Sequence, residues 1–237
     1  MRRHNFTINE MLAVIAIIMV LSALIFPMVS ASRAQARLTS CASNQGQVMK
    51  MLQDGMSRAK DQLISADDDK DSPKRLRLWT TSLYERNIMR SMDGMRCPEL
   101  TYTHKGTSAD QKADRAEAYG VVYASADADG KLDFRGSKLR KYTKSGKTID
   151  IAPNHLLIGG CTATDYGSAK ANAVLDFSGG KLISVHRKQL NVFFLDGSSS
   201  TVVEREFPAW TENVYFPKAD NSAAESLSTR KSDLLTK

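Results

Sequence analysis

His186, nine residues, and then Asp196-Gly197 form the pattern in this chain most suggestive of a reactive pair. A histidine and an aspartate can share a proton as an acid/base couple or hold a metal together. No cysteine, further histidine or further carboxylate lies between them in the sequence. The simpler reading makes His186 the end of a strand and Asp196 the builder of its turn, and no enzymatic reaction is expected.

Three other groups invite a chemical reading. Ser125, Asp127, Asp129, Gly130 and Asp133 alternate like the oxygen donors of a calcium loop, but the closing glutamate position is Gly136. An Asp-Gly turn explains them equally well, so calcium is only an option here and no resident cofactor is expected. Cys41, Cys97 and Cys161 contain no CxxC pair, and their wide spacing argues against a zinc site and for buried free thiols, although one pair could bridge in an oxidising compartment. Lys138, Arg140, Lys141, Lys144 and Lys147 surround Tyr142. A solvated loop accounts for them better than nucleic-acid contact.

These residues must be positioned by a chain whose apolar content is concentrated at one end. Met11 to Val29 is an uncharged run of 19 residues in which only Ser22 is polar and only Pro27 breaks helices. As a helix it covers roughly 28 Å, close to the ~30 Å thickness of a bilayer core. A buried core helix would show a polar stripe, and a secretory signal cut near Ser30-Ala31-Ser32 would have a shorter apolar region. Arg2 and Arg3 precede the run and Arg33 and Arg37 follow it, so the charge asymmetry is mild. The long C-terminal part favours an N-inside, C-outside orientation. The formal net charge of +7 suits contact with acidic lipid or acidic partners and does not by itself argue for nucleic acid.

Beyond the run, Leu38, Cys41, Val48, Leu52, Met56, Ala59 and Leu63 recur at helical spacing. One helix is predicted from about Phe6 to Ile64, bent at Pro27, weakened at Gly46 and Gly55, and ended by Asp67-Asp68-Asp69. Met49, Met51 and Met56 read as core filling. A short helix over Leu76 to Tyr84 is followed by strand-like segments at 119–124, 131–134, 155–158, 182–185, 190–195 and 201–203. Asp196-Gly197 predicts a two-residue hairpin. The fold class is therefore α+β, with a long N-terminal helix packed on an antiparallel sheet. The composition after Pro217 predicts a flexible tail over 218–237.

The Phe6-Thr7-Ile8-Asn9-Glu10 segment entering the apolar run resembles the N-terminal motif of type IV pilins and type II secretion pseudopilins. The resemblance implies a basic leader (1–5), cleavage between Asn5 and Phe6 by a prepilin peptidase, and N-methylation of Phe6. It gives Glu10 the role of pairing with the ammonium of Phe6 on a neighbouring subunit during assembly. Asn5 and Asn9 depart from the family pattern, which prefers glycine or alanine before the cut and an apolar residue beside the glutamate. His186, Asn191, Asp196 and Gly197 are similar to the histidine-x9-aspartate-glycine ending of a large group of prepilin-type proteins. Ser40-Cys41-Ala42-Ser43-Asn44, Trp79 and Met95-Arg96-Cys97-Pro98 match that group's upstream positions.

The architecture thus implied is a transmembrane and assembly helix (6–30), its amphipathic continuation (31–65) and a periplasmic globular domain (66–217), anchored by a single pass in an inner membrane. Its expected function is that of a pilin-like structural subunit, assembled into a pseudopilus or pilus-like fibre. Its expected partners are the peptidase, other pilin-like subunits, an assembly platform and lipid. The alternative is a membrane-anchored or secreted binding module that is not assembled into a filament.

Overall fold

The computed structural model describes residues 7–58, 67–69, 72–77, 79–100, 102, 117–122, 141–163, 173–175, 181–217, 224–233 and 235–236. Helix α1, Ile8–Arg58, is 51 residues long. It begins with a capping box: Glu10 Oε2 accepts from the Thr7 N–H at 2.7 Å and from the Thr7 hydroxyl at 2.9 Å, and Thr7 Oγ1 accepts from the Glu10 N–H at 3.4 Å. Thr7-x-x-Glu10 therefore satisfies backbone donors at the first turn of α1. The helix continues through Pro27, Gly46 and Gly55 without interruption. A proline removes one rung of the ladder, and the rungs on either side can hold.

The two halves of α1 have different surroundings. Its large apolar side chains from Ile8 to Val29 are between 38% and 80% exposed, and this stretch is long and apolar enough to cross a membrane. From Leu38 onward one stripe, Leu38, Cys41, Gln45, Val48, Met49 and Leu52, is buried. The stripe packs against strands β10 (Gln189–Phe194) and β11 (Ser199–Val203).

The other strands in chain order are β1 (Asp67–Asp69), β2 (Ser72–Arg77), β3 (Gly120–Val122), β4 (Lys141–Lys144), β5 (Lys147–Asp150), β6 (Leu157–Gly160), β7 (Thr162–Ala163), β8 (Val174–Leu175), β9 (Lys181–Ser184), β12 (Tyr215–Pro217), β13 (Ala224–Ser226) and β14 (Leu235–Thr236). The central sheet runs β11-β10-β6-β3-β8, antiparallel except for the β3–β8 pair. A smaller sheet runs β14-β9-β7. The fold is α+β, a long N-terminal helix laid on mainly antiparallel sheet.

Several expected elements shift. The second helix, α2, starts at Trp79 and ends at Glu85, because Leu76 is already paired with Asp68 in the β1–β2 ladder. Pro153 opens a 3-10 turn that includes His155, so the following strand begins only at Leu157. The segment 131–134 lies outside the described residues. The Asp196-Gly197 hairpin has a three-residue loop, since Phe194 N–H donates to Ser198 O at 2.9 Å and Gly197 N–H to Phe194 O at 3.0 Å. Only Gly197, at φ +90°, is left-handed among the turn residues, as in a type I turn closed by a glycine bulge rather than a type I′ turn.

The expected flexible tail after Pro217 is instead folded where it is described. β13 pairs with β12, Leu227 is buried with its N–H on Val214 O at 2.8 Å, and β14 pairs parallel with β9. Ala224 and Leu227 supply apolar anchors that an average over a Ser- and Lys-rich segment hides.

The central sheet tolerates no side chain at Gly159. A Cβ there would collide with the carbonyl oxygen of Gly120 and the ring of Phe193. Gly159→Ala is expected to cost about 1–3 kcal/mol through overpacking, measured as a lowered denaturant midpoint of the detergent-solubilised chain.

Candidate functional site

The most chemically distinctive place in the described residues is a buried meeting point of α1 with the sheet. Cys41 comes from the buried stripe of α1, Cys97 from the loop after α2, Cys161 from the step between β6 and β7, and His186 from the turn leaving β9. Their ligand-type atoms all lie within 4.8 Å of one another. Cys41 Sγ is 3.3 Å from Cys161 Sγ and 3.8 Å from Cys97 Sγ. His186 Nε2 is 3.3 Å from Cys97 Sγ and 3.9 Å from Cys161 Sγ. The three cysteines are fully buried and His186 is 4% exposed.

Local structure delivers each group. His186 is held by a two-residue turn, with reciprocal bonds from His186 N–H to Gln189 O (3.2 Å) and from Gln189 N–H to His186 O (3.1 Å). Arg187 and Lys188 occupy the left-handed region at φ +51° and +64°, a conformation costing roughly 1 kcal/mol or more for a residue with a side chain. Arg187 Nη2 donates to Ser30 O on α1 at 3.2 Å. Cys161 is positioned by its N–H on Asn191 O at 3.2 Å and by its carbonyl, which accepts from Ile183 N–H at 2.9 Å.

A second set of polar groups surrounds the sulfurs. Gln45 is fully buried, and its Nε2 donates to Asn191 O (3.0 Å), Cys161 Sγ (3.4 Å) and Cys41 Sγ (3.6 Å). The Tyr119 hydroxyl donates to Cys41 O at 3.3 Å and Cys41 Sγ at 3.4 Å. Tyr119 is fixed in turn through its carbonyl, which accepts from Trp79 Nε1 at 3.1 Å. Tyr102 donates its hydroxyl to Cys97 O at 2.6 Å, and Arg96 lies over its ring at 5.0 Å.

The electrostatics separate the three thiols. Burial pushes Cys97 and Cys161 well above the ordinary thiol range. Burial acts the same way on Cys41, but hydrogen bonds from Cys161, Cys97 and His186 outweigh it and hold its thiol below that range. Burial, reinforced by the neighbouring sulfurs, raises the Tyr102 and Tyr119 hydroxyls, so both remain donors.

Asn191, on β10, borders the same cluster, its carbonyl accepting from the Cys161 N–H and from Gln45 Nε2. Its Nδ2 donates to Leu38 O on α1 at 3.1 Å, and its Oδ1 accepts from Thr201 Oγ1 at 2.6 Å. Asp196 and Gly197 lie elsewhere. Asp196 Oδ1 accepts from the Ser198 N–H at 2.9 Å and hydroxyl at 2.6 Å, building the turn at the far end of β10. A six-residue strand spans about 20 Å, so His186 and Asp196 form no acid/base couple.

Of the remaining sequence-selected residues, Glu10 sits in the first turn of α1. Asn5, Phe6 and the acidic segment 125–136 lie outside the described residues, as do Lys138 and Arg140. Lys141, Lys144 and Lys147 are exposed on the β4–β5 hairpin, while the Tyr142 ring packs on Tyr215 with centroids 5.0 Å apart. Ser40 is exposed, whereas Asn44 Nδ2 reaches Arg96 O at 3.4 Å.

Sequence reasoning missed Gln45 and the convergence of the cysteines. The gap of seven between Cys41 and Val48 in the apolar stripe was the available signal. Gln45 fills the i+4 step there, and a polar residue on a buried stripe requires partners. No family model, curated protein or solved structure matches the chain.

Asn191→Ala removes the link between β10 and the Leu38 carbonyl and is expected to cost about 1–3 kcal/mol. Asp196→Ala, which loses only turn bonds, is expected to cost about 1 kcal/mol or less. Denaturant unfolding of both variants in detergent tests that order.

Proposed function

We propose that this chain is a pilin-like structural subunit, held in an inner membrane by α1, trimmed between Asn5 and Phe6 by a prepilin peptidase, and assembled through its N-terminal helix into a pseudopilus or pilus-like fibre. It catalyses no reaction. The observation that carries the reading is the division of α1 into a first half exposed on all sides and a second half with one buried stripe. An apolar cylinder exposed all round needs lipid or neighbouring helices as its solvent. The same rigid helix then holds the sheet domain outside that layer.

Glu10 has two roles in this proposal. Its carboxylate caps the helix through Thr7, and in the assembled fibre it meets the ammonium of Phe6 on a neighbouring subunit, which relieves the cost of a charge at the edge of hydrocarbon. The two roles separate by substitution, because glutamine serves a capping box as glutamate does but carries no charge.

Mass spectrometry of the N-terminus, with and without a co-expressed prepilin peptidase, is expected to find a chain starting at methylated Phe6 only when the peptidase is present. An intact Met1 under both conditions refutes the processing step and favours a static membrane anchor. Glu10→Gln is expected to leave insertion and helix content unchanged while reducing recovery in sheared filaments about tenfold, equivalent to about 1.4 kcal/mol, a magnitude comparable to one polar contact between membrane helices. Normal incorporation of this variant sinks the pairing role.

A further inference from the structure

We infer that Cys41, Cys97, Cys161 and His186 form a structural zinc site that fastens helix α1 to the sheet. All four side chains lie where α1 meets the sheet, so the site does not depend on filament assembly.

Geometry is the first argument. A tetrahedral zinc holds thiolate sulfur at about 2.3 Å and imidazole nitrogen at about 2.0–2.1 Å, which requires S···S separations of about 3.8 Å and S···N separations of about 3.5–3.6 Å. The S···S separations of 3.3 and 3.8 Å and the S···N separations of 3.3 and 3.9 Å lie within about half an ångström of those values, and all four ligand atoms lie within 4.8 Å of one another.

The donor set is the second argument. Three thiolates and one imidazole are soft to borderline ligands that suit zinc and not calcium or magnesium. A disulfide would use only two of the sulfurs and leave the third thiol and the imidazole buried beside it. One ion uses all four groups.

Charge is the third. Three thiolates around a divalent ion leave one net negative charge in a buried place. Gln45 Nε2 donates to two of the sulfurs and the Tyr119 hydroxyl to one, as outer partners of metal-bound sulfur do. Four protein ligands fill a tetrahedral zinc, so no position is left for water or substrate and the ion serves the fold. Its ligands come from α1, the loop after α2, the β6–β7 step and the β9–β10 turn, so it binds together four segments distant in sequence.

The full chain, extracted in detergent and purified without chelator, is expected to contain about one zinc per chain by inductively coupled plasma mass spectrometry. Cys97→Ser and His186→Ala are each expected to lower that content at least tenfold. His155→Ala, which removes an exposed imidazole bonded to Asn213 O, should leave it unchanged. Because a ligand variant can also fail to fold, the unaltered chain is stripped with chelator and titrated with cobalt(II). Thiolate-to-cobalt charge-transfer absorption saturating at one equivalent supports the site. A chain that is metal-free as isolated and takes up no cobalt overturns it. So does a disulfide between any two of the cysteines in the protein as isolated, before any chelator is added, or zinc that persists in both ligand variants.

Discussion

Gln45 sits where the buried stripe of a helix would ordinarily place another apolar side chain, and its amide must find partners on the sheet. Its Nε2 finds them in Asn191 O and Cys161 Sγ, with Cys41 Sγ on α1 itself as a third acceptor, while its buried Oε1 has no hydrogen-bond partner. Leaving the Gln45 donors without these acceptors costs about 1–3 kcal/mol, which favours this rotation and height of the helix over neighbouring ones. Asn191 reinforces the docking from the other side by reaching Leu38 O. Apolar burial along Val48, Met49 and Leu52 supplies the driving force, which is not directional. The polar contacts supply the register.

This docking connects two environments. Upstream, α1 offers apolar side chains in every direction and cannot be served by the sheet. Downstream, it presents one stripe and cannot be served by lipid. A continuous helix transmits position between the two over about 1.5 Å per residue, and the contact of Arg187 with Ser30 O extends the grip of the domain close to the end of the apolar run. The strained Arg187-Lys188 turn fits this picture, because a left-handed pair of bulky residues persists only when its surroundings hold it in place. On one side it feeds His186 to the buried cluster and on the other it reaches α1.

The motif-like residues scattered through the sequence acquire a common location. Cys41, Asn44, Trp79, Arg96, Cys97, His186 and Asn191 surround the same meeting point of helix, loop and sheet, while Asp196 and Gly197 shape a turn at the opposite end of β10. His186 and Asp196 therefore do separate jobs despite their regular spacing. A spacing of nine residues along a strand separates two side chains, whereas long sequence distances such as Cys41 to Cys161 are no obstacle once the chain folds back.

The sequence by itself determined those features that depend on nearest neighbours along the chain. They include the membrane-length apolar run, the helical stripe from Leu38, the strands around 182–185, 190–195 and 201–203, and the presence of a hairpin at Asp196-Gly197. Periodicity and turn chemistry are local, so they survive without coordinates. Tertiary structure decided the start of α2 at Trp79, the loop length of the hairpin, the anchoring of Ala224 and Leu227, and the gathering of three isolated cysteines with one histidine. Each of these depends on which segments become neighbours through sheet order and helix docking. That is a property of long-range packing, which no window of sequence contains.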